Sequence, residues 1–416
     1  MPTERNGSLG GELEAGLRGL EERSQRRSLS EVAGVNLCSN DYLGLADDAR
    51  LREAVLEAVR VAPRVGGTGS RLLSGHLGLW DSLESEFAEF AGTEAALYFA
   101  SGYAANVGLL SSLMKPEDVV FSDELNHASL IDGMRLSGAR KVIYPHLDLN
   151  ALEGELRWTG GGRKFVVTET VFSMDGDVAP VAELVGLCER YEALLILDEA
   201  HATGVHGPEG RGIAAAVGAG AVPESKSELL NAEGTEVGAQ RAQRRGECVF
   251  GVVHTCGKAL ASAGAFVCGS AVLREHLINH ARTFLFSTAT PPYMAGQVRA
   301  ALRLARGMDV ERAELLARSR RLASSLRVAG YDTAGSASQI VPVVVGENKE
   351  AMALAEYLQR DGFAVKAIRP PTVKVGQARV RLSITAAIGE GDLKRLENSL
   401  GSWRVQRTVP AAAGCA

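Results

Sequence analysis

Between residues 50 and 290, short apolar runs alternate with stretches whose apolar residues recur at helical spacing, the pattern of an α/β domain with a largely parallel sheet. Seven runs read as strands: Ala95 to Phe99, Val119 to Phe121, Lys141 to Tyr144, Phe165 to Thr168, Leu194 to Leu197, Cys248 to Val253 and Ala265 to Cys268. Between two of them, Val181, Leu184, Val185 and Cys188 recur as a crossover helix lying on a sheet requires. Units of this kind put functional loops at the C-terminal ends of the strands.

From about residue 300 the texture changes to a long Arg-rich and Ala-rich helix, the strand IVPVVVG, a helix near Glu350 to Gln359 and the strand ARVRLSIT. The expected organisation is an N-terminal arm over 1–45, a large domain over 46–290, a smaller α+β domain over 291–404 and a frayed tail over 405–416. The Gly-, Ala- and charge-rich stretch over 214–246 reads as a surface insertion.

Composition adds exclusions. The chain has 416 residues, 46% hydrophobic and 23% charged, the balance of a globular protein with room for a core that can shield reactive chemistry. A net charge of −5 gives no general pull toward nucleic acid or anionic membranes, so any anionic ligand must be held locally. The six cysteines form no CxxC pair, which suggests neither a disulfide framework nor a zinc site and fits a reducing cytoplasm. The N-terminus has no apolar leader core, and no run approaches the roughly 18 apolar residues of a membrane span, so no membrane partner is expected.

The chemistry begins at GVVHTCGKALASAGAFV, where a strand ends at His254 and Thr255, turns through Gly257 and presents Lys258. Partial desolvation on such a turn favours the neutral amine, a nucleophile or Schiff-base partner; the alternative is an ordinary surface lysine. A Walker motif is excluded, because five residues separate Gly251 from Gly257 and Ala259 stands where Ser or Thr would bind magnesium. GGTGSR follows the helical pattern LREAVLEAVR where a dinucleotide fingerprint needs a strand.

In LLILDEAHATGVHG, four apolar residues deliver Asp198 to a strand end, with His201 three residues on. A buried carboxylate there needs a cation, and a protonated pyridine nitrogen is one. A helicase box and a catalytic acid pair compete, but the helicase reading lacks its Walker partner and a basic surface. ALYFASGYAANVGLL is a strand, a turn and a helix, with Gly102 and Tyr103 at the helix start, where free N–H groups receive a phosphate or merely need a cap. His127 follows a strand and can stack on a planar ring or stand in solvent. Ser173 sits in a turn with Asp175 and Asp177, whose plainer role is turn formation.

The strings SNDYLGL, GTGSRLLSGH, ASGYAANVG, NHASLIDG, VFSMDGDVAP, DEAHATGVHG and TCGKALASAGAF together resemble the α-oxoamine synthases, fold-type I enzymes dependent on pyridoxal 5′-phosphate (PLP), over about residues 20–400. The stretch AIRPPTVKVGQARVRLSITAA is similar to the branch that condenses L-alanine with a pimeloyl thioester, CoA- or ACP-borne, to 8-amino-7-oxononanoate in biotin synthesis. The resemblance implies a large domain with a mostly parallel seven-stranded sheet between helices plus a smaller α+β C-terminal domain. It implies that Lys258 carries PLP as a Schiff base, that Asp198 pairs with the pyridine nitrogen, that His201 contacts the ring oxygen and that His127 stacks on the ring. Gly102 and Tyr103 would hold the phosphate end, with hydrogen bonds from Ser173 and Thr255. Arg381 matches the grip on the amino acid carboxylate, and Arg26, Arg369 and Thr372 match positions near the acyl substrate. The family is homodimeric with interface sites, and Ser287 and Thr288 match a cross-subunit phosphate contact. Ile388 departs from the family, which carries His after TAA. Rival expectations are glycine C-acetyltransferase or another member of the group, a PLP aminotransferase or racemase, and a non-catalytic homologue.

Overall fold

The computed structural model describes residues 9–31, 33–218 and 248–408, and they fall into two compact units. The larger comprises 40–173 and 178–314, and the smaller comprises the rest, including 174–177 and everything from Leu315.

Seven strands form the sheet of the larger unit: β1 (Ala95–Phe99), β2 (Val119–Asp123), β3 (Arg140–Tyr144), β4 (Lys164–Glu169), β5 (Ala193–Asp198), β6 (Val249–Thr255) and β7 (Ala265–Gly269). Their order is β1-β7-β6-β5-β4-β2-β3, and β7 alone runs against its neighbours. All seven expected strands are present. Several run one or two residues further than their apolar runs, because buried polar residues close them: Asp123 accepts the amides of Leu125 and Leu147, at 2.8 and 2.9 Å.

Alternate residues feed two cores, as the period of a strand demands. Phe165, Val167, Ile196 and Val253 face one side with Leu109, Leu110, Leu130 and Met134, while Val166, Leu195, Leu197 and Val252 face the other with Leu152, Leu184, Leu187 and Cys188. The crossover helix expected around Val181 spans Val181–Arg190. The helix Gly102–Leu113 is buried along most of its length, so it sits inside the unit rather than on its surface.

The larger unit reaches past the boundary expected at 290. Helix Tyr293–Arg306 buries Ala295, Val298, Ala301 and Leu302 and packs on helix Ala49–Val61. At Gly296 an added Cβ would come 2.5 Å from the Ala58 Cβ, so glycine sets that helix–helix approach. The single long helix expected after 300 is two, Tyr293–Arg306 and Asp309–Val328, interrupted at Gly307.

The smaller unit holds an antiparallel sheet ordered Ala367–Ile368, Ala378–Ser383, Ile340–Gly346, with helices Asn348–Arg360 and Glu390–Thr408. Most of the described N-terminal arm belongs here: Val35 and Asn36 pair in parallel with Phe363 and Ala364. Arg379, 2% exposed, forms an ion pair with Asp175, giving that acid a larger part than turn formation. Ile388 is buried, and its carbonyl accepts from Arg318 at 2.8 Å. The expected insertion lies beyond residue 218 almost wholly outside the described residues; its first residues close the short helix Ile213–Ala216. The expected tail continues as helix to Thr408. No helix among the described residues is long and apolar enough to cross a membrane.

Phe87 stacks on Phe266 with ring centroids 3.9 Å apart, both rings fully buried. Phe87→Ala is expected to destabilise the protein by about 3–5 kcal/mol through lost burial and a residual cavity. Denaturant unfolding checks this, and a loss under about 1 kcal/mol contradicts the packing described.

Candidate active site

The loops after β1, β2, β5 and β6 converge with the end of β4 on a cavity of about 400 Å³. Its lining includes Gly102, Tyr103, His127, Asp198, His201, Thr255 and Lys258, so seven residues singled out at widely separated positions meet in one place. A larger depression of about 490 Å³ in the smaller unit carries Arg321 and Lys394 paired with Glu390 and Glu397, and its charges answer one another.

Asp198 closes β5 and is 4% exposed. Its Oδ2 accepts from Asn106 Nδ2 at 2.7 Å and its Oδ1 from the Ala200 amide at 2.8 Å, so each carboxylate oxygen has a donor. The same Asn106 amide donates to Ser129 Oγ at 2.9 Å. The Ser129 hydroxyl lies 2.8 Å from His127 Nδ1, which also accepts the Ser129 amide at 3.2 Å. Nδ1 is therefore an acceptor, the proton sits on Nε2, and the ring is neutral. Burial pushes the His127 pKa down; the Asp198 charge opposes this and Lys258 adds to it.

His201 Nδ1 is 2.6 Å from the hydroxyl of Tyr42, which is fully buried. Lys258 lies on a turn closed by Cys256 N–H donating to Gly264 O and Ser262 N–H to Cys256 O, both at 2.9 Å. Cys256 itself is a buried filler whose thiol burial pushes up. Thr255 Oγ1 donates to the Ala200 carbonyl at 3.3 Å. Ser101 caps the helix at Gly102, and a Cβ on Gly102 would come 2.6 Å from Thr255 Cγ2, so glycine keeps this helix start open. The Tyr103 hydroxyl bonds Asp132.

Three expected cofactor-binding residues lie apart from this lining. Ser173 follows β4, and its amide reaches the Glu169 carboxyl. Ser287 and Thr288 line a second, small recess with Arg71 and Tyr98.

Within the smaller unit, Arg381 is buried on its strand, beside Cys38. Arg369 and Thr372 are brought together by Arg27, whose guanidinium donates to the Arg369 carbonyl at 3.2 Å and to Thr372 Oγ1 at 3.3 Å. Arg26, expected with them near the acyl substrate, pairs with Glu21 at 2.9 Å. Ser24 takes a left-handed φ of 54°, so the chain turns out of helix Leu9–Glu22 before these arginines and helical spacing no longer sets which one faces inward. Burial first, and the Arg27 charge second, push the Arg369 guanidinium pKa down.

Four contributors were not singled out in the sequence: Tyr42, Asn106, Ser129 and Glu169. Asn106 left one signal, an amide inside the otherwise apolar run AANVGLL. Glu169 ends an apolar strand as Asp198 does, and is likewise buried.

These residues suit PLP. The helix start at Gly102 and Tyr103 offers backbone amides of the kind that receive a phosphate, Asp198 is a buried carboxylate at the cavity wall, and Lys258 is an amine in the same cavity. Buried Asn106 Oδ1 and Glu169 Oε1 have no hydrogen-bond partner among the described residues.

The family model for class I and II aminotransferases matches residues 32–400. The chain is 46% identical over 409 residues to an 8-amino-7-oxononanoate synthase of Geobacter sulfurreducens, covering 93% of this chain and 95% of that protein. It is 42% identical over 359 residues to 8-amino-7-oxononanoate synthase 2 of Bacillus subtilis, covering 86% and 85%. Among solved structures it is similar to a serine palmitoyltransferase variant from S. paucimobilis with bound PLP–myriocin aldimine, at 25% identity and a TM-score of 0.80, covering 96% and 98%.

Because Asn106 holds Asp198, Asn106→Ala is expected to lower stability by about 1–3 kcal/mol, and by clearly less when Asp198 is already Asn. A double-mutant unfolding cycle measures the coupling; additive losses contradict the link.

Proposed function

The chain belongs to the 8-amino-7-oxononanoate synthases, within the class I and II aminotransferase family, and from that membership we propose that it joins L-alanine to a pimeloyl thioester, releasing CO₂ and free thiol. The observation that carries the reading is the meeting of Lys258, Asp198, His201 and His127 in one cavity at the strand ends.

PLP, when bound, supplies a carbonyl that takes amines reversibly and a ring that draws electrons from the attached carbon. Lys258 would hold it, and its amine, once released, would accept the proton from the amino acid's α carbon. Asp198, hydrogen-bonded by Asn106 and Ala200, would be the counter-charge for a pyridine nitrogen. Neutral His127 offers a flat face that adds no second positive charge, and His201, anchored by Tyr42, offers Nε2 to a ring oxygen. The amides of Gly102 and Tyr103 would take the phosphate. Arg381 would grip the alanine carboxylate, since a guanidinium fork matches it.

The adjacent Arg27 and Arg369 suit the far carboxylate of a pimeloyl chain, with Thr372 beside them. This reading gives Arg27 the part first expected of Arg26. A homodimer is what the family resemblance supports, with Ser287 and Thr288 as its cross-subunit phosphate contact. A cytoplasmic location is consistent with a sequence whose six cysteines form no CxxC pair.

A panel pairing L-alanine, glycine or L-serine with pimeloyl-CoA, acetyl-CoA or palmitoyl-CoA tests the reaction through release of CO₂ and thiol. Alanine with pimeloyl-CoA is expected to be the productive pair, and preference for another pair refutes the substrate assignment. In the same assay Arg27→Ala is expected to raise KM for pimeloyl-CoA about tenfold or more with a small change in kcat, and Arg26→Ala to change neither. The reverse pattern refutes the role given to Arg27.

A further inference from the structure

Glu169 ends β4 directly beside Asp198 on β5, the two being register partners on adjacent parallel strands. Both line the cavity, and Glu169 is 2% exposed. Two carboxylates so placed cannot both carry charge cheaply, because each lacks water and repels the other. Asp198 has the Asn106 and Ala200 donors. Glu169 is approached by the His127 and Ser173 amides, but its Oε1 has no partner.

The charges around the pair point the same way. Asp198 and the neighbouring Glu199 are acids, and Glu199 is turned to the amides of Ile213 and Ala214 at 2.9 and 2.7 Å. His127 is neutral by its hydrogen bonds. Lys258 is a facing cation that works against protonation, yet burial and then Asp198 outweigh it, and the Glu169 pKa is pushed up to about 8.

We propose that Glu169 works as a neutral acid, holding its proton on Oε1 and donating it to an acceptor atom of the bound cofactor, while Asp198 remains the anion of the pair. This rests on the reading that the cavity holds PLP. Glu169 is then a cofactor-binding residue by hydrogen-bond donation, and its loss of charge keeps a second anion from competing with Asp198 for the ring nitrogen. The protonated form is the binding form, so cofactor affinity falls as pH rises through about 8 and is retained below it.

The test is the PLP dissociation constant across that pH range, read from near-visible absorbance, for the wild type, Glu169→Gln and Glu169→Leu. Gln preserves shape and an N–H donor, so affinity near neutrality is expected to stay within about threefold and the Glu169-dependent alkaline weakening to vanish. Leu keeps the bulk without a donor and is expected to weaken binding about tenfold. Loss of affinity in Gln equal to that in Leu, an unchanged alkaline transition in Gln, or wild-type affinity in Leu overturns the proposal. If all three proteins bind PLP as expected but the substrate panel shows no alanine-dependent release of CO₂, the reaction assignment fails while the role of Glu169 stands. If the wild type binds no PLP, both fall.

Discussion

A buried negative charge at the end of β5 is the constraint around which the site is arranged. Asp198 sits almost out of water, and such a charge persists only with donors and a counter-cation. The donors come from a helix amide and a loop amide, and the same Asn106 links through Ser129 to His127. One side chain thereby couples the anion to the ring across the cavity, and it fixes His127 as a neutral group. The sheet supplies the geometry: parallel strands deliver their C-terminal ends to one edge, so residues from distant positions converge without any long-range sequence signal.

Polar residues that interrupt an apolar pattern have opposite meanings here according to where they fall. At Asp123, Glu169 and Asp198 they close strands, and their burial is met by backbone amides, by a neighbouring side chain or, for Glu169, by amides that reach only part of the group. Asn106 sits mid-helix, where an amide is ordinarily a weak choice, and its position makes sense only once Asp198 and Ser129 are seen beside it. In the smaller unit, Arg379 fills the same kind of role for Asp175, buried and paired.

The seven strands were legible because each is a compact apolar run, and their ends were less so because the closing residues are polar. Lys258, Asp198, His201 and His127 were legible because each follows a strand-like run within a distinctive string. Asn106 and Ser129 were hidden by lying in helices whose pattern already accounted for them. The choice between Arg26 and Arg27 depended on the left-handed residue Ser24, a backbone turn that composition and periodicity do not register. The division between units was shifted by Gly296 and the apolar face of Tyr293–Arg306, which tie that helix to an early one far away in sequence.

The chemistry of the site turns on the amine at position 258. Borohydride reduction of the PLP-loaded protein, followed by proteolysis and mass spectrometry, fixes the cofactor to whichever amine held it. The reduced cofactor is predicted on Lys258, in the peptide containing GVVHTCGK. Attachment to a different lysine, or no attachment in a protein that had acquired the near-visible absorbance, would contradict the site described.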